Sequence, residues 1–125
     1  MTRRWIVRPL AESDLDHAAT WYNDQQSGLG LRFLDAVDQV FERIRVKPMQ
    51  FPAVSAHVRR ALLNTFPYAV YFRVTDQVVV VLAVLHLRRH PDMWRARSTR
   101  SPLSSPSPTS RSGSPFVVTV YQGSQ

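Results

Sequence analysis

Residues 78–85 read Val-Val-Val-Val-Leu-Ala-Val-Leu, eight apolar positions in succession with no polar residue between them. That is strand length, and far short of the roughly 20 residues that span a bilayer. A strand apolar on both faces lies in the interior of a sheet, and its place here is beside the first strand of the chain.

The remaining segments arrange themselves around this strand. Trp5-Ile6-Val7 ahead of Pro9 reads as a short first strand. Leu15, Ala18, Ala19 and Tyr22 recur at helical spacing, with Ser13 and Asp16, or Asp14 alone, as the expected cap. Gly28 and Gly30 interrupt that helix. A second carries Phe33, Val37, Val40, Phe41 and Ile44 on one stripe and stops before Pro48. Three strand-like runs follow at 57–63, 68–74 and 78–86, separated by hairpin-length connections. In the middle run Tyr68, Val70, Phe72 and Val74 alternate with Ala69, Tyr71 and Arg73, which implies one core face and one partly wet face. The order β-α-α-β-β-β predicts an α+β fold, a helical hairpin packed on a mostly antiparallel four-stranded sheet.

Residues 98–125 hold nine serines and four prolines in 28 positions and offer little to bury. The expectation is a folded domain over 1–97 and a disordered Ser/Pro-rich tail over 98–125, in which residues 116–121 form a short apolar patch suited to an edge strand. The chain has no cysteine, which excludes a disulfide framework and thiolate metal sites. It shows no signal-peptide-like start, and a cytoplasmic location is expected.

The net charge of +7 is unevenly distributed. Seven of nine acidic residues fall between 12 and 42, whereas from Arg43 to Arg97 ten basic residues face only Asp76 and Asp92. A basic half attracts RNA, DNA or an acidic protein segment, although an arginine-rich solvated surface has the same composition.

Three places concentrate candidate functional side chains. Arg59 and Arg60 are neighbours in a strand and point to opposite faces; charge on an edge strand also guards against edge pairing. His86-Leu87-Arg88-Arg89-His90 marks the exit of the apolar strand, where guanidinium groups grip phosphates or carboxylates and His86 has the chemistry of a general acid or base. In the segment from Pro91 to Arg97, Trp94 either packs over the sheet or offers a stacking platform beside Arg95 and Arg97. The paired carboxylates are assigned to exposed helix faces. There is no phosphate-binding glycine loop, HExxH or GxSxG, and the four histidines are scattered, so neither a metal nor a cofactor is expected.

Taken in order, Asp14-Leu15, Trp21-Tyr22, Gly28-Leu29-Gly30 with Phe33-Leu34, Pro48 with Phe51-Pro52, Val58-Arg59-Arg60 with Leu62-Leu63, the run from Phe66 to Phe72, residues 79–84, and His86-Leu87-Arg88-Arg89 with Pro91 and Trp94 resemble the RelE/ParE toxin superfamily of plasmid-stabilisation proteins. The resemblance covers roughly residues 3–97. It implies a growth-inhibiting toxin held in a heteromeric complex by an antitoxin that wraps it with an amphipathic, often acidic segment. It also implies one of two targets. ParE-like members poison DNA gyrase without a nuclease site, whereas RelE-like members cleave mRNA on the ribosome.

This chain departs from the nuclease pattern. Ala69 stands where that branch tends to place an arginine, the lysines of the preceding strand are absent, and no tyrosine follows Arg89 before the tail. The gyrase branch is therefore favoured. The alternatives are the endoribonuclease, with His86 and Arg89 catalytic, and a decayed toxin that retains only antitoxin binding. The target- or antitoxin-binding set that the resemblance and the charge pattern suggest is Arg59, Arg60, Arg88, Arg89, Trp94 and Arg97.

Overall fold

The computed structural model describes residues 3–89 and 92–99. His90 and Pro91 lie outside them, as do residues 100–125, on which most of the tail expectation falls. Strand β1 (Arg4–Val7) leads into helices α1 (Pro9–Gln25) and α2 (Leu29–Val46) and a 3-10 turn at Pro48–Gln50. Strands β2 (Arg59–Leu62), β3 (Tyr68–Val74) and β4 (Val78–His86) and helix α3 (Met93–Thr99) complete the order. The sheet order is β1-β4-β3-β2, with β1 parallel to β4 and the other pairs antiparallel. The apolar strand β4 is thus interior and neighbours β1, as its composition predicts.

Helices α1 and α2 cover one face of the sheet. Their buried residues, Ala11, Leu15 and Ala18 on α1 and Phe33, Val37, Val40, Phe41 and Ile44 on α2, join Val70, Phe72, Val79, Val81 and Val84 in the main core. Two glycines make the hairpin possible. Gly28, at φ +90°, sits in a left-handed conformation that side chains rarely adopt. At Gly30 a Cβ would lie 2.5 Å from the Ala19 backbone oxygen, so only glycine lets the helices approach this closely.

Two boundaries differ from expectation. Helix α1 starts at Pro9, four residues before the expected cap, with Arg8 at the N-cap and no side-chain cap. Proline suits the first helical position because its missing N–H has no intrahelical partner there, and Asp14 is used elsewhere. Strand β2 covers only Arg59–Leu62, because Val58 instead accepts a hydrogen bond from Val54 N–H in a local turn.

The second face of β3 also differs. Ala69 and Tyr71 are buried rather than partly wet. A smaller core of Val58, Ala69, Tyr71, Leu82, Ala83, Leu85 and Trp94 covers that side, with the Trp94 indole stacked on Tyr71 at 5.6 Å and an interplanar angle of 12°. No helix among the described residues is long and apolar enough to cross a membrane.

Candidate functional site

The site begins with an extra residue in β4. Phe72 pairs with Val81 and Tyr71 with Ala83, leaving Leu82 without a partner. A bulge of this kind reverses which residues point to each side. Before it, the Val81 carbonyl accepts from Arg8 N–H at the end of the β1 ladder. After it, Val84 N–H points to the same side, where β1 has already ended. Asp14 of α1 takes the place of the missing strand: its Oδ2 accepts from Val84 N–H at 2.9 Å. Arg97 of α3 donates to the Leu82 carbonyl at 3.3 Å and to Asp14 Oδ2 at 2.6 Å and Oδ1 at 3.2 Å.

The reversal turns His86 toward the helical side, above Tyr68. There α1 and the end of β4 enclose a cleft of about 250 Å³ lined by Asp14, His17, Trp21, Tyr68, His86 and Arg89, among others. Tyr68 on its floor belongs to a cluster of rings that continues beneath the cleft: Tyr68 lies 5.2 Å from the His86 ring, 5.0 Å from Phe33 and 6.0 Å from Tyr22, and Tyr22 lies 5.3 Å from Phe33, 4.9 Å from Phe66 and 5.1 Å from Trp21. Such edge and stacked pairs fix one another's orientation, so the floor is preorganised. On the rim, the Arg89 guanidinium lies over the Trp21 indole, 5.1 Å from its centroid. Trp21 remains 42% exposed.

The chemistry of the cleft is that of recognition. His86 Nδ1 accepts from Arg88 N–H at 3.0 Å and Arg89 N–H at 3.2 Å, which places the proton of a neutral ring on Nε2. These bonds hold the arginine pair in its turn. Burial raises the Tyr68 phenol above its usual pKa; Arg89 opposes that shift and Asp14 adds to it. The phenol therefore stays protonated near neutral pH. Among the described residues no group of three or more His, Cys, Asp or Glu side chains is placed to hold a metal ion.

The structure separates the residues singled out from the sequence. His86 and Arg89 share the cleft, and Arg88 is exposed beside them. Arg59 is directed inward and donates to the Phe51 carbonyl at 2.6 Å. Arg60 lies on the opposite sheet face with its Nε buried and unpartnered among the described residues. Trp94 is buried against Tyr71, and Arg97 belongs to the largely buried pair with Asp14, at 12% and 13% side-chain exposure. Arg59, Trp94 and Arg97 thus hold loops and helix in place, and Arg88 and Arg89 form the exposed part of the set.

Asp14, His17, Trp21 and Tyr68 are further site residues that sequence reasoning missed. His17 and Trp21 are four apart on α1, a spacing that marks one helix face, and Trp21 is too large and apolar for an ordinary solvated position. The carboxylates of α1 also need correction. Asp14 is largely buried in its ion pair, and Glu12 is 1% exposed with neither carboxylate oxygen hydrogen-bonded among the described residues. Burial first, and Asp16 second, push the Glu12 pKa up to about 7.

Residues 6–91 match the family model described as ParE toxin of type II toxin-antitoxin system, parDE. The chain belongs to the ParE toxin family. Toxin ParE2 of Mycobacterium tuberculosis, from two strains, is 36% identical to it over 97 residues, covering 77% of this chain and 92% of the relative. A solved structure titled Chromosomal ParDE TA system from P. aeruginosa superposes with a TM-score of 0.62 at 18% identity, over 68% of this chain and 96% of that one, and shares the fold. This ParE-family chain is accordingly the toxin component of a type II toxin–antitoxin system, as the resemblance implies, and an antitoxin is its partner.

Proposed function

We propose that this ParE-family toxin acts on DNA gyrase in the cytoplasm, and that its antitoxin silences it by seating an acidic, partly apolar segment in the cleft between α1 and the end of β4. The observation that carries the antitoxin reading is Arg89 stacked over the half-open Trp21, with Arg88 beside it. An indole supplies the apolar anchor that protein interfaces concentrate their energy on, and a guanidinium supplies bidentate recognition of a carboxylate. Trp94 and Arg97 act as positioning residues: they fix α3, and Arg97 holds Asp14 in the wall of the cleft.

Family membership supports gyrase as the target, and so does the site's chemistry. His86 commits Nδ1 to two backbone amides, and Ala69 is buried where a nuclease-type member would carry a phosphate-gripping arginine. Both count against the ribosome-dependent endoribonuclease.

The test is an assay of purified full-length toxin with gyrase, ATP and plasmid. The expected result is loss of supercoiling activity with accumulation of cleaved DNA, reversed by the antitoxin. Intact gyrase activity together with mRNA cuts in the ribosomal A site would overturn the proposal in favour of the nuclease. Absence of growth arrest on induction would mark a chain that only binds antitoxin.

A further inference from the structure

The sheet face opposite the α1–α2 hairpin carries a second cluster of guanidinium groups. In β1, Trp5 and Val7 point into the main core, Trp5 packing 5.2 Å from Phe41, so Arg4 and Ile6 point to the other face, and the extended N-cap residue Arg8 that follows continues the alternation there beside Arg73. Arg73 of β3 lies on that same face, where it donates to the Ser98 carbonyl of α3 at 3.4 Å. Strands β1 and β3 both flank β4, which puts their backbones roughly 10 Å apart, within reach of two arginine side chains.

Among the described residues, no ion pair joins a carboxylate to Arg4, Arg8 or Arg73: the pairs there are Glu42–Arg45, Asp92–Arg95 and Asp14–Arg97. Arg8 registers the crowding: partial burial, and then the charge of Arg73, hold its guanidinium below the usual arginine range. Like charges held together without a counter-charge cost free energy, and an arriving anion relieves that cost.

The surroundings decide between anions. A docked protein segment needs an apolar anchor, yet the large apolar side chains exposed among the described residues (Leu10, Trp21, Leu31, Val46, Met49, Leu62 and Met93) do not include Ile6 or Val80, the residues between these arginines. Single-stranded nucleic acid favours open aromatic platforms, and the rings that the described residues place on this face, Tyr71 and Trp94, are buried against each other. What remains is contact with a phosphate backbone alone, the mode of duplex DNA.

We infer that Arg4, Arg8 and Arg73 form a phosphodiester-binding face that contacts duplex DNA, separate from the Trp21–Arg89 cleft. The inference builds on the gyrase reading, in that gyrase acts on duplex DNA and this face would rest on that same DNA.

The experiment is fluorescence anisotropy of the full chain with a labelled 30-base-pair duplex at salt concentrations from about 50 to 200 mM, the range over which counterion release is read. Wild type is expected to show a log–log salt slope of about −3, one unit per phosphate contact. R8Q/R73Q is expected to bind at least ten-fold more weakly, with the slope reduced by about 2. R88Q/R89Q, which removes the same charge from the cleft, is expected to bind as wild type does. Equal losses in the two double variants would show that binding follows net charge and overturn the assignment. If R8Q/R73Q does not fold, as judged by circular dichroism, the wild-type slope still decides: a value near zero overturns it. Preference for single-stranded RNA of the same sequence, or for poly-glutamate over duplex, also overturns it. A near-zero salt slope in a wild-type toxin that still poisons gyrase would sink this inference while leaving the gyrase reading intact.

Discussion

Asp14 and Arg97, 83 positions apart in sequence, meet through two hydrogen bonds of 2.6 and 3.2 Å and together occupy the edge of β4 where β1 has ended. Each also bonds the strand directly, Asp14 at Val84 N–H and Arg97 at the Leu82 carbonyl. The pair therefore performs two tasks, satisfying backbone groups that a neighbouring strand would otherwise satisfy and tying α3 to α1.

Removing one partner leaves a largely buried charge uncompensated. Asp14→Ala is expected to destabilise the fold by about 3 kcal/mol, measured by urea denaturation near neutral pH. Replacing both, as D14L/R97M, should cost clearly less than the sum of the single changes. A strictly additive result would show that the two side chains do not act as a unit.

Glu12 gives the fold a pH dependence of defined sign. Its native pKa, about 7, lies above the ordinary value of 4.5, so no penalty exists at pH 4 and one develops as pH rises toward 7 and beyond. Its size is on the order of 3 kcal/mol. Glu12→Gln should therefore raise stability at pH 8 and narrow the difference between pH 5 and pH 8. Identical pH profiles for wild type and E12Q would remove Glu12 as the cause.

Trp94 is the main apolar tie between α3 and the sheet. Trp94→Ala should cost about 3–5 kcal/mol, whereas Trp94→Phe should retain much of the stack on Tyr71. Loss of the near-ultraviolet dichroism of the packed indole, followed on thermal melting, is a convenient readout.

At Gly30 a methyl group would meet a backbone oxygen, which cannot swing aside as a side-chain end can. Gly30→Ala should lower stability by about 1–3 kcal/mol despite alanine's better helix propensity. A stabilised variant would mean that α1 and α2 separate freely.

Trp21, Arg88 and Arg89 are expected to behave in the opposite way. W21A and R88A/R89A should fold with near-native thermal midpoints yet bind the antitoxin at least ten-fold more weakly, about 1.4 kcal/mol. Calorimetric titration with the antitoxin would show this, and unchanged affinity in both folded variants would exclude the cleft as its seat.

Much of the architecture was legible because each signal was local and unopposed. The β4 run had no polar face to expose, the Phe33–Ile44 stripe kept one helical period, and Pro48 closed α2 as its geometry requires. The start of α1 was missed because Ser13 and Asp14 have good capping chemistry, while the competing use of Asp14 lies in β4 and α3. The covered face of β3 was missed for a related reason: alternation shows which residues share a side, but not whether a distant Trp94 will cover it. In the site, the arginines at the strand exit stood out as a charge cluster. Trp21 and Asp14 did not, because their partners become neighbours only when α1 lies along the open edge of β4.

The unpaired Leu82 also bears on how lengths may change in this part of the chain. A pleated strand has two states of parity, and one supernumerary residue is what carries β4 from the first to the second. Because residues 78–85 are apolar throughout, deleting one of them would leave the hydropathy of the strand almost untouched while sending His86 to the side now occupied by α3. The functional end of this protein is thus far more sensitive to the number of residues in its most featureless segment than to their identity.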